Sequence, residues 1–425
     1  MIWWTPFTGD EGLQQCGEYQ CYVTNDRGVR DHPNTRAIFF YGTAFKATDI
    51  PLPRRQHENW ALMHEESPKN NPIFSHPEMM RHFNFTSTFS RKSSFPLTSQ
   101  YLESIEFLTT ARYLVTLEEK NRLQKMEGLA PVAYIQSGCD SPSMRDEWVT
   151  EFMKYIKVDS YGSCLNNKRI PSDLQGSEKF ESDKFYNYLA RYKFVISFEN
   201  AICNDYVTEK LWRTIATGSV PIYLGAPNIE SILPNKKSAI LVKEFNSSFE
   251  VAEYVNKING DDELYKSFLQ HKELYNPNSY NLVTNTELVD LVNSRQWGVS
   301  SEQQRWQGNM VAHYQCHVCQ RLSRNLKYSN LGIIQFQNDR LSFNFSGFRP
   351  LLFAAGAEDY GCSAPVSPLS GETLPPKSWW GQQWLRSKHE AVILDRFALE
   401  NIPIDEKIFY AETFEMMQSE LKKKL

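Results

Sequence analysis

Tyr192–Gly225, YKFVISFENAICNDYVTEKLWRTIATGSVPIYLG, carries the alternation that decides the fold. Phe194, Val195, Ile196 and Phe198 form a continuous apolar run, as a strand buried on both faces requires. Leu211, Trp212, Ile215 and Ala216 then recur at helical spacing, and Gly218 stands where a C-terminal cap belongs. Val220 to Leu224 is a second buried strand, closed by Gly225. Between the strands, twelve positions hold Glu199, Asn200, Asp205, Tyr206, Glu209 and Lys210. A helix start offers free backbone N–H groups and a positive dipole end, Lys210 adds a full charge, and both favour phosphate. A glutamate beside them can accept hydrogen bonds from sugar hydroxyls. An isolated Thr-Glu-Lys triplet would be an ordinary surface pair. Set within a complete strand–loop–helix–strand unit, it has the layout of a nucleotide-sugar site at strand ends.

Working outward, the same alternation continues on both sides. From Val132 come strand VAYIQSG, helix RDEWVTEFMKYI, strand VDSYG and helix FYNYLARY; after the quoted stretch, Phe249 to Ile258 and Glu263 to Leu274 read as helices. Alternating βα units predict a parallel sheet covered by helices. Upstream, Ile2-Trp3-Trp4, Ala37 to Tyr41 and Trp60 to His64 are strand candidates between Pro- and Asn-rich loops. The expected organisation is an N-terminal, acceptor-side Rossmann-like domain over 1–117, a helix-prone connector over 118–130, a second Rossmann-like domain over 131–297 and a C-terminal extension over 298–425. Within that extension, Gly356 to Lys377 reads as a loop or lid and Ala391 to Leu425 as helix.

Composition narrows the function. The 425 residues are 41% hydrophobic, enough for two cores. Net charge is −4 with acids and bases interspersed, so neither nucleic acid nor an anionic membrane is implied as a partner. No apolar run approaches the roughly 20 residues needed to span a bilayer, and Met1 leads straight into a candidate core strand rather than a signal peptide. No Asp-x-Asp signature, phosphate-binding Gly-x-x-x-x-Gly-Lys loop, dinucleotide fingerprint or His-Glu-x-x-His motif is present.

Four segments, in order, carry a family resemblance: HEESP at His64, FNFTSTFSRKSSFP at Phe83, SGCDSPSMRDE at Ser137, and VDSYGSC at Val158 followed by the quoted stretch. Together they resemble the α-1,3-fucosyltransferases of glycosyltransferase family 10, from near the N-terminus to about Trp297. The resemblance implies a GT-B architecture, two Rossmann-like domains facing across a cleft, and metal-independent, inverting transfer of fucose from GDP-fucose. By position, Glu66 matches the catalytic base. Arg145 and Lys210 match cations on the diphosphate, Asn200, Tyr206 and Glu209 groups near the fucose or phosphates, and Tyr161 and Gly162 neighbours of guanine. Taken singly, Glu66 would be a solvated loop acid and Arg145 a helix-start ion pair.

The chain departs from Lewis-type members at Phe89, Ser90, Arg91, Lys92, Ser93 and Ser94, on the acceptor side. The HEESP, SRKSS and FENAICND variants look closest to the divergent branch of α-1,3-fucosyltransferases 10 and 11. That likeness implies O-fucosylation of Ser or Thr in folded, disulfide-containing secretory domains. Fucosylation of N-acetylglucosamine in a glycan and a silent donor-fold binding protein are the competing readings; retention of Glu66, Arg145, Glu209 and Lys210 argues against the latter.

No cofactor beyond the donor substrate is expected. The resemblance places the chain in the lumen of the endoplasmic reticulum or Golgi, as a type II membrane protein whose anchor lies outside this sequence. Sequons at Asn84, Asn246 and Asn344 fit that placement, as do eight cysteines. Cys316 and Cys319 are expected to bridge each other rather than bind zinc, Cys16 and Cys21 to close a small loop, and Cys203 to be buried or bridged.

Overall fold

The computed structural model describes residues 1–7, 11–176, 179–180, 182–276, 282–297, 308–330, 334–337, 340–343 and 355–423, without the side chains of 308–309 and 326–343. Asn344 lies outside the described residues. The chain packs as two compact units. The first joins Met1–Thr98 to Arg295–Ser363 and Pro375–Leu425; the second joins Ser99–Ser294 to Ala364–Leu374.

Each unit is built on a parallel sheet, so the predicted pair of Rossmann-like α/β domains is present. In the first, β1 (Ile2–Thr5), β4 (Ala37–Tyr41), β5 (Asn59–His64) and β6 (Phe85–Thr88) lie side by side in that order. A disulfide-bearing hairpin of β2 (Gly12–Cys16) and β3 (Tyr19–Val23) stands apart from them. In the second, β7 (Val132–Ile135), β8 (Val158–Tyr161), β9 (Phe194–Phe198), β10 (Val220–Leu224) and β11 (Ile240–Leu241) run in the order β11-β10-β9-β7-β8. Every residue of β9 and β10 is buried, which explains their uninterrupted apolar character. One side packs on helices Arg145–Phe152 and Ser248–Gly260, and Leu211, Trp212 and Ile215 of helix Glu209–Ala216 join a second apolar cluster.

Three sequence expectations need correction. The first boundary falls at Thr98, not near 117, and 118–130 is no connector. Helix Leu117–Glu127 belongs to the second unit because Leu117 and Leu123 enter its cores. Nor is the region after 297 an appendage. Met310, Val311, Tyr314, Val318 and Leu322 of helix Gly308–Asn330 pack with Trp3, Phe39, Phe85 and Phe95, covering a face of the first sheet. The predicted helix over 263–274 stops at Ser267, and the chain turns to bury His271 and Lys272.

The disulfides also differ. Cys16 bonds Cys316 and Cys21 bonds Cys319, rather than each pair closing on itself. Positions three apart on a helix share one face, and that face of helix Gly308–Asn330 lies on the β2–β3 hairpin. Cys139 bonds Cys164, and no described cysteine is free.

Beneath the second sheet, lysines replace the usual apolar plug. Lys120 Nζ donates to the carbonyls of Tyr192 (2.9 Å) and Gly218 (2.7 Å), and Lys272 Nζ to those of Ala216 (2.7 Å) and Thr110 (3.2 Å). Two of these carbonyls, those of Ala216 and Gly218, lie where helix Glu209–Ala216 ends and would otherwise be left over. Burial pushes Lys272 down to about 7 and Lys120 well below its ordinary value.

Two predictions follow from this packing. Peptide mapping without reduction should recover Cys16–Cys316 and Cys21–Cys319 cross-links, and removing either bridge should cost about 2–5 kcal/mol in urea unfolding. Because Lys272 loses its proton near pH 7 when folded but near 10.4 when unfolded, the unfolded chain holds more protons between those values. Lys272 should therefore contribute a rise in stability of about 2 kcal/mol from pH 7 to 9, and Lys272→Met should remove that part of the rise.

Candidate functional site

The order of the second sheet reverses between β7 and β9. Connections leaving those two strands diverge, so a crevice opens beyond their C-terminal ends, the usual ligand position in open parallel sheets. Arg145 sits at this point. Its Nη2 donates to Gly138 O beyond β7 (2.6 Å), and its Nη1 to Phe198 O at the end of β9 (3.1 Å). The guanidinium is buried, and its Nε has no partner among the described residues. Arg145 is therefore a clasp between two loops, not a helix-start ion pair. Ser143 adds two stitches, its N–H to Asn200 O (3.1 Å) and its hydroxyl to Glu199 O (2.7 Å). The Asn200 amide oxygen is buried and unpartnered among the described residues.

Glu199, the first residue after β9, has no exposed surface. Its two carboxylate oxygens accept from the N–H and the hydroxyl of Thr208, each at 2.7 Å. Thr208 in turn caps helix Glu209–Ala216. Lys210 Nζ lies 2.9 Å from Thr208 Oγ1, 3.1 Å from Glu209 Oε1 and 3.6 Å from Glu199 Oε2. Gly225 leaves the room this needs, since a Cβ there would meet Tyr223 Oη at 2.4 Å and Glu199 Cγ at 2.7 Å. Burial pushes the Glu199 carboxyl upward, against the opposing pull of Lys210. Burial would do the same to Glu209, but Lys210, Arg213 and hydrogen bonds from Lys210 and Thr208 outweigh it and hold that carboxyl at about 2.

The remaining residues fall into two groups. Tyr206 is buried just before the helix, and its neighbour Asp205, at φ 64°, is held by reciprocal bonds with Asn228 (2.9 and 2.8 Å). Gly162 follows β8 at φ 86°, where a Cβ would lie 2.4 Å from Gln136 O, so only glycine fits. Tyr161 is the last residue of β8. Its ring is wholly buried and its hydroxyl bonds those of Tyr192 (2.5 Å) and Tyr188 (2.8 Å), so it belongs to a core network ending on Asp159.

In the first unit, Glu66 follows the C-terminal end of β5 and is partly exposed. Glu65 beside it is buried and accepts the Tyr41 hydroxyl at 2.9 Å. Burial, reinforced by the Glu66 charge, pushes Glu65 up to about 7 against its own backbone and Tyr41 hydrogen bonds. Burial alone keeps His64 neutral, at about 3. Two serines of the 89–94 segment are tied to nearby backbone: Ser93 Oγ donates to Ser90 O (2.9 Å) and Ser94 Oγ to Thr86 O (2.9 Å).

The Asn84 amide oxygen accepts from the Trp60 N–H (3.0 Å) and from Arg54, and Asn246 is exposed. The cysteine pair Cys139 and Cys164, grouped with Asp146, is closed as a disulfide and offers no thiolates to a metal. Sequence reasoning placed Glu199 and Thr208 among the polar groups between strand and helix without giving either a role, and passed over Glu65. A charged residue directly ending a fully apolar strand was the available signal for Glu199.

Residues 120–335 match the family described as glycosyltransferase family 10 (fucosyltransferase), C-terminal part, and residues 1–100 match the fucosyltransferase N-terminal family. A Xenopus laevis protein named GDP-fucose protein O-fucosyltransferase 3 is 46% identical over 399 residues, 93% of this chain and 80% of that protein. Proteins of the same name from Rattus norvegicus and Homo sapiens are 42% identical over 416 residues and 41% over 399, spanning 97% and 93% of this chain and 82% and 78% of theirs.

Replacing Glu199 by leucine should strand the Thr208 N–H and remove a counter-charge from Lys210. Urea unfolding should register a loss of about 2–4 kcal/mol.

Proposed function

The chain belongs to glycosyltransferase family 10, the fucosyltransferases, and on that premise we propose that it transfers L-fucose from GDP-fucose to a serine or threonine hydroxyl of a folded protein domain. The observation that carries the acceptor class is the identity of 41–46% with proteins named GDP-fucose protein O-fucosyltransferase 3, over more than nine-tenths of this chain.

In the inverting reaction, the acceptor oxygen attacks the anomeric carbon as the bond from that carbon to the β-phosphate oxygen breaks. GDP leaves with the electron pair, and the acceptor proton passes to a base. Glu66 is assigned that base; a carboxylate on the loop after β5 can take the proton as the new bond forms. Charge growing on the diphosphate is met by Lys210 and the helix N-terminus, which the Glu199–Thr208 clamp holds in place. Arg145 contributes beside them by fixing the loops after β7 and β9. Glu209, ionised at any physiological pH, is suited to accept hydrogen bonds from fucose hydroxyls. Protein cations supply the charge neutralisation in this reading, so no step is given to a metal.

The compartment proposed is the secretory lumen. Oxidised cysteines throughout the described residues support it. No helix among those residues is long and apolar enough to cross a membrane.

Intact-mass analysis should show one added fucose on a folded, disulfide-bonded secretory domain, and none on its unfolded form. Transfer to an N-acetyllactosamine glycan alone would overturn the acceptor assignment. Glu66→Gln should lower turnover about 10²–10⁴-fold while GDP-fucose affinity stays nearly intact; lost affinity would move Glu66 to the donor. Lys210→Ala should cost about 2–4 kcal/mol in turnover and donor binding together, and an unchanged turnover number would sink its role.

A further inference from the structure

Both family matches end by residue 335, yet a segment beyond them is built into the surroundings of Glu66. Ala355 to Tyr360 runs along β6, with contacts from two residues before its start to the turn beyond its end. Ala355 N–H donates to Phe83 O (3.0 Å), Thr86 Oγ1 to the Asp359 carboxylate (2.8 Å), Thr88 Oγ1 to Asp359 O, and Ser90 Oγ to Glu358 O (2.6 Å). Asp359 also accepts from Gly356 N–H at 2.7 Å, which closes the segment into a single turn of helix. Its last residue, Tyr360, is fully buried, and its hydroxyl donates to Glu66 O at 2.8 Å. The ring stacks on His64 (5.4 Å, 18°) and meets Phe89 at 5.0 Å and Phe74 at 6.2 Å. Cys362, two residues on, is disulfide-bonded.

We propose that Tyr360 is a positioning residue for Glu66, and that the C-terminal segment exists in part to hold the catalytic loop against β5 and β6. This rests on the reading of Glu66 as the base. The physical need is specific. Glu66 stands on a loop rather than within the strand, and misplacement of a reacting group by about 1 Å costs up to 10²-fold in rate. A phenol bonded to the Glu66 carbonyl fixes the peptide plane from which the side chain projects. Stacking on His64 fixes the residue two positions earlier, at the last position of β5. A buried tyrosine takes some acceptor in any core. Here the acceptor belongs to the proposed base, and the same segment also bonds Ser90 and packs on Phe89, in the stretch where this chain departs from Lewis-type members.

The test compares Tyr360→Phe, which keeps the ring and loses the hydroxyl, with wild type on a folded acceptor domain and GDP-fucose. The expected result is a kcat lower by about 10-fold, with KM for both substrates within about twofold. The thermal midpoint should stay within about 2 °C of wild type, as for loss of one hydrogen bond. Tyr360→Leu, which also removes the stacking, should lose more kcat than Tyr360→Phe. An unchanged kcat in Tyr360→Phe, or a loss of kcat in proportion to a loss of folded protein, overturns the positioning role. Glu66→Gln run alongside separates the two ideas. If that variant transfers at the wild-type rate, the base assignment itself fails; if it is inactive while Tyr360→Phe is fully active, only the positioning role fails.

Discussion

At the end of the central strand β9, a carboxylate with no exposed surface is bonded twice to one threonine. Much of the second unit is arranged around that contact. Burying an acid is costly unless its oxygens are satisfied, and here an N–H, a hydroxyl and a nearby ammonium do so. The contact fixes where helix Glu209–Ala216 begins, and so where its positive end points. It also dictates Gly225 at the end of the next strand, since any side chain there would collide with Glu199. Across the switch point, Arg145 and Ser143 bind the neighbouring loop to the same strand end. The surface proposed to take the diphosphate is thus assembled from loops bonded to one another, which is what electrostatic preorganisation demands.

The two units use carboxylates in opposite ways. Glu209 is surrounded by cations and donors, so it stays ionised although half-buried. Glu65 has no cation to offset its burial and lies next to another acid, so it holds its proton to about pH 7. Its partly exposed neighbour Glu66 is the one of that pair to which the proposed reaction assigns the acceptor proton. Identical side chains are sorted into roles by environment alone.

The first unit is a small sheet that cannot complete itself. Its four strands leave a face that helix Gly308–Asn330 covers, and two disulfides staple that helix to the β2–β3 hairpin. The same returning chain then threads along β6 to reach Glu66. A region with little periodicity in sequence thereby becomes structural support for a proposed catalytic loop.

The sequence by itself determined the elements whose burial is periodic. The strands at 194–198 and 220–224, the helix between them and the alternation from Val132 onward were legible because full burial leaves no freedom in residue type. The motif residues gathered at the strand ends were legible for a related reason, since chemistry at a helix start restricts which side chains can serve. Tertiary structure alone decided the rest. Whether Cys316 faced Cys319 or a hairpin 300 residues away depended on which surface the helix covered, and local spacing is silent on that. Tyr161 looked like a ligand contact by position, yet the sheet turned its ring inward to Tyr188 and Tyr192. Glu199, Glu65 and Tyr360 gained their significance from what was packed against them. Those contacts join residues from 9 to 294 positions apart, a span over which no local pattern carries information.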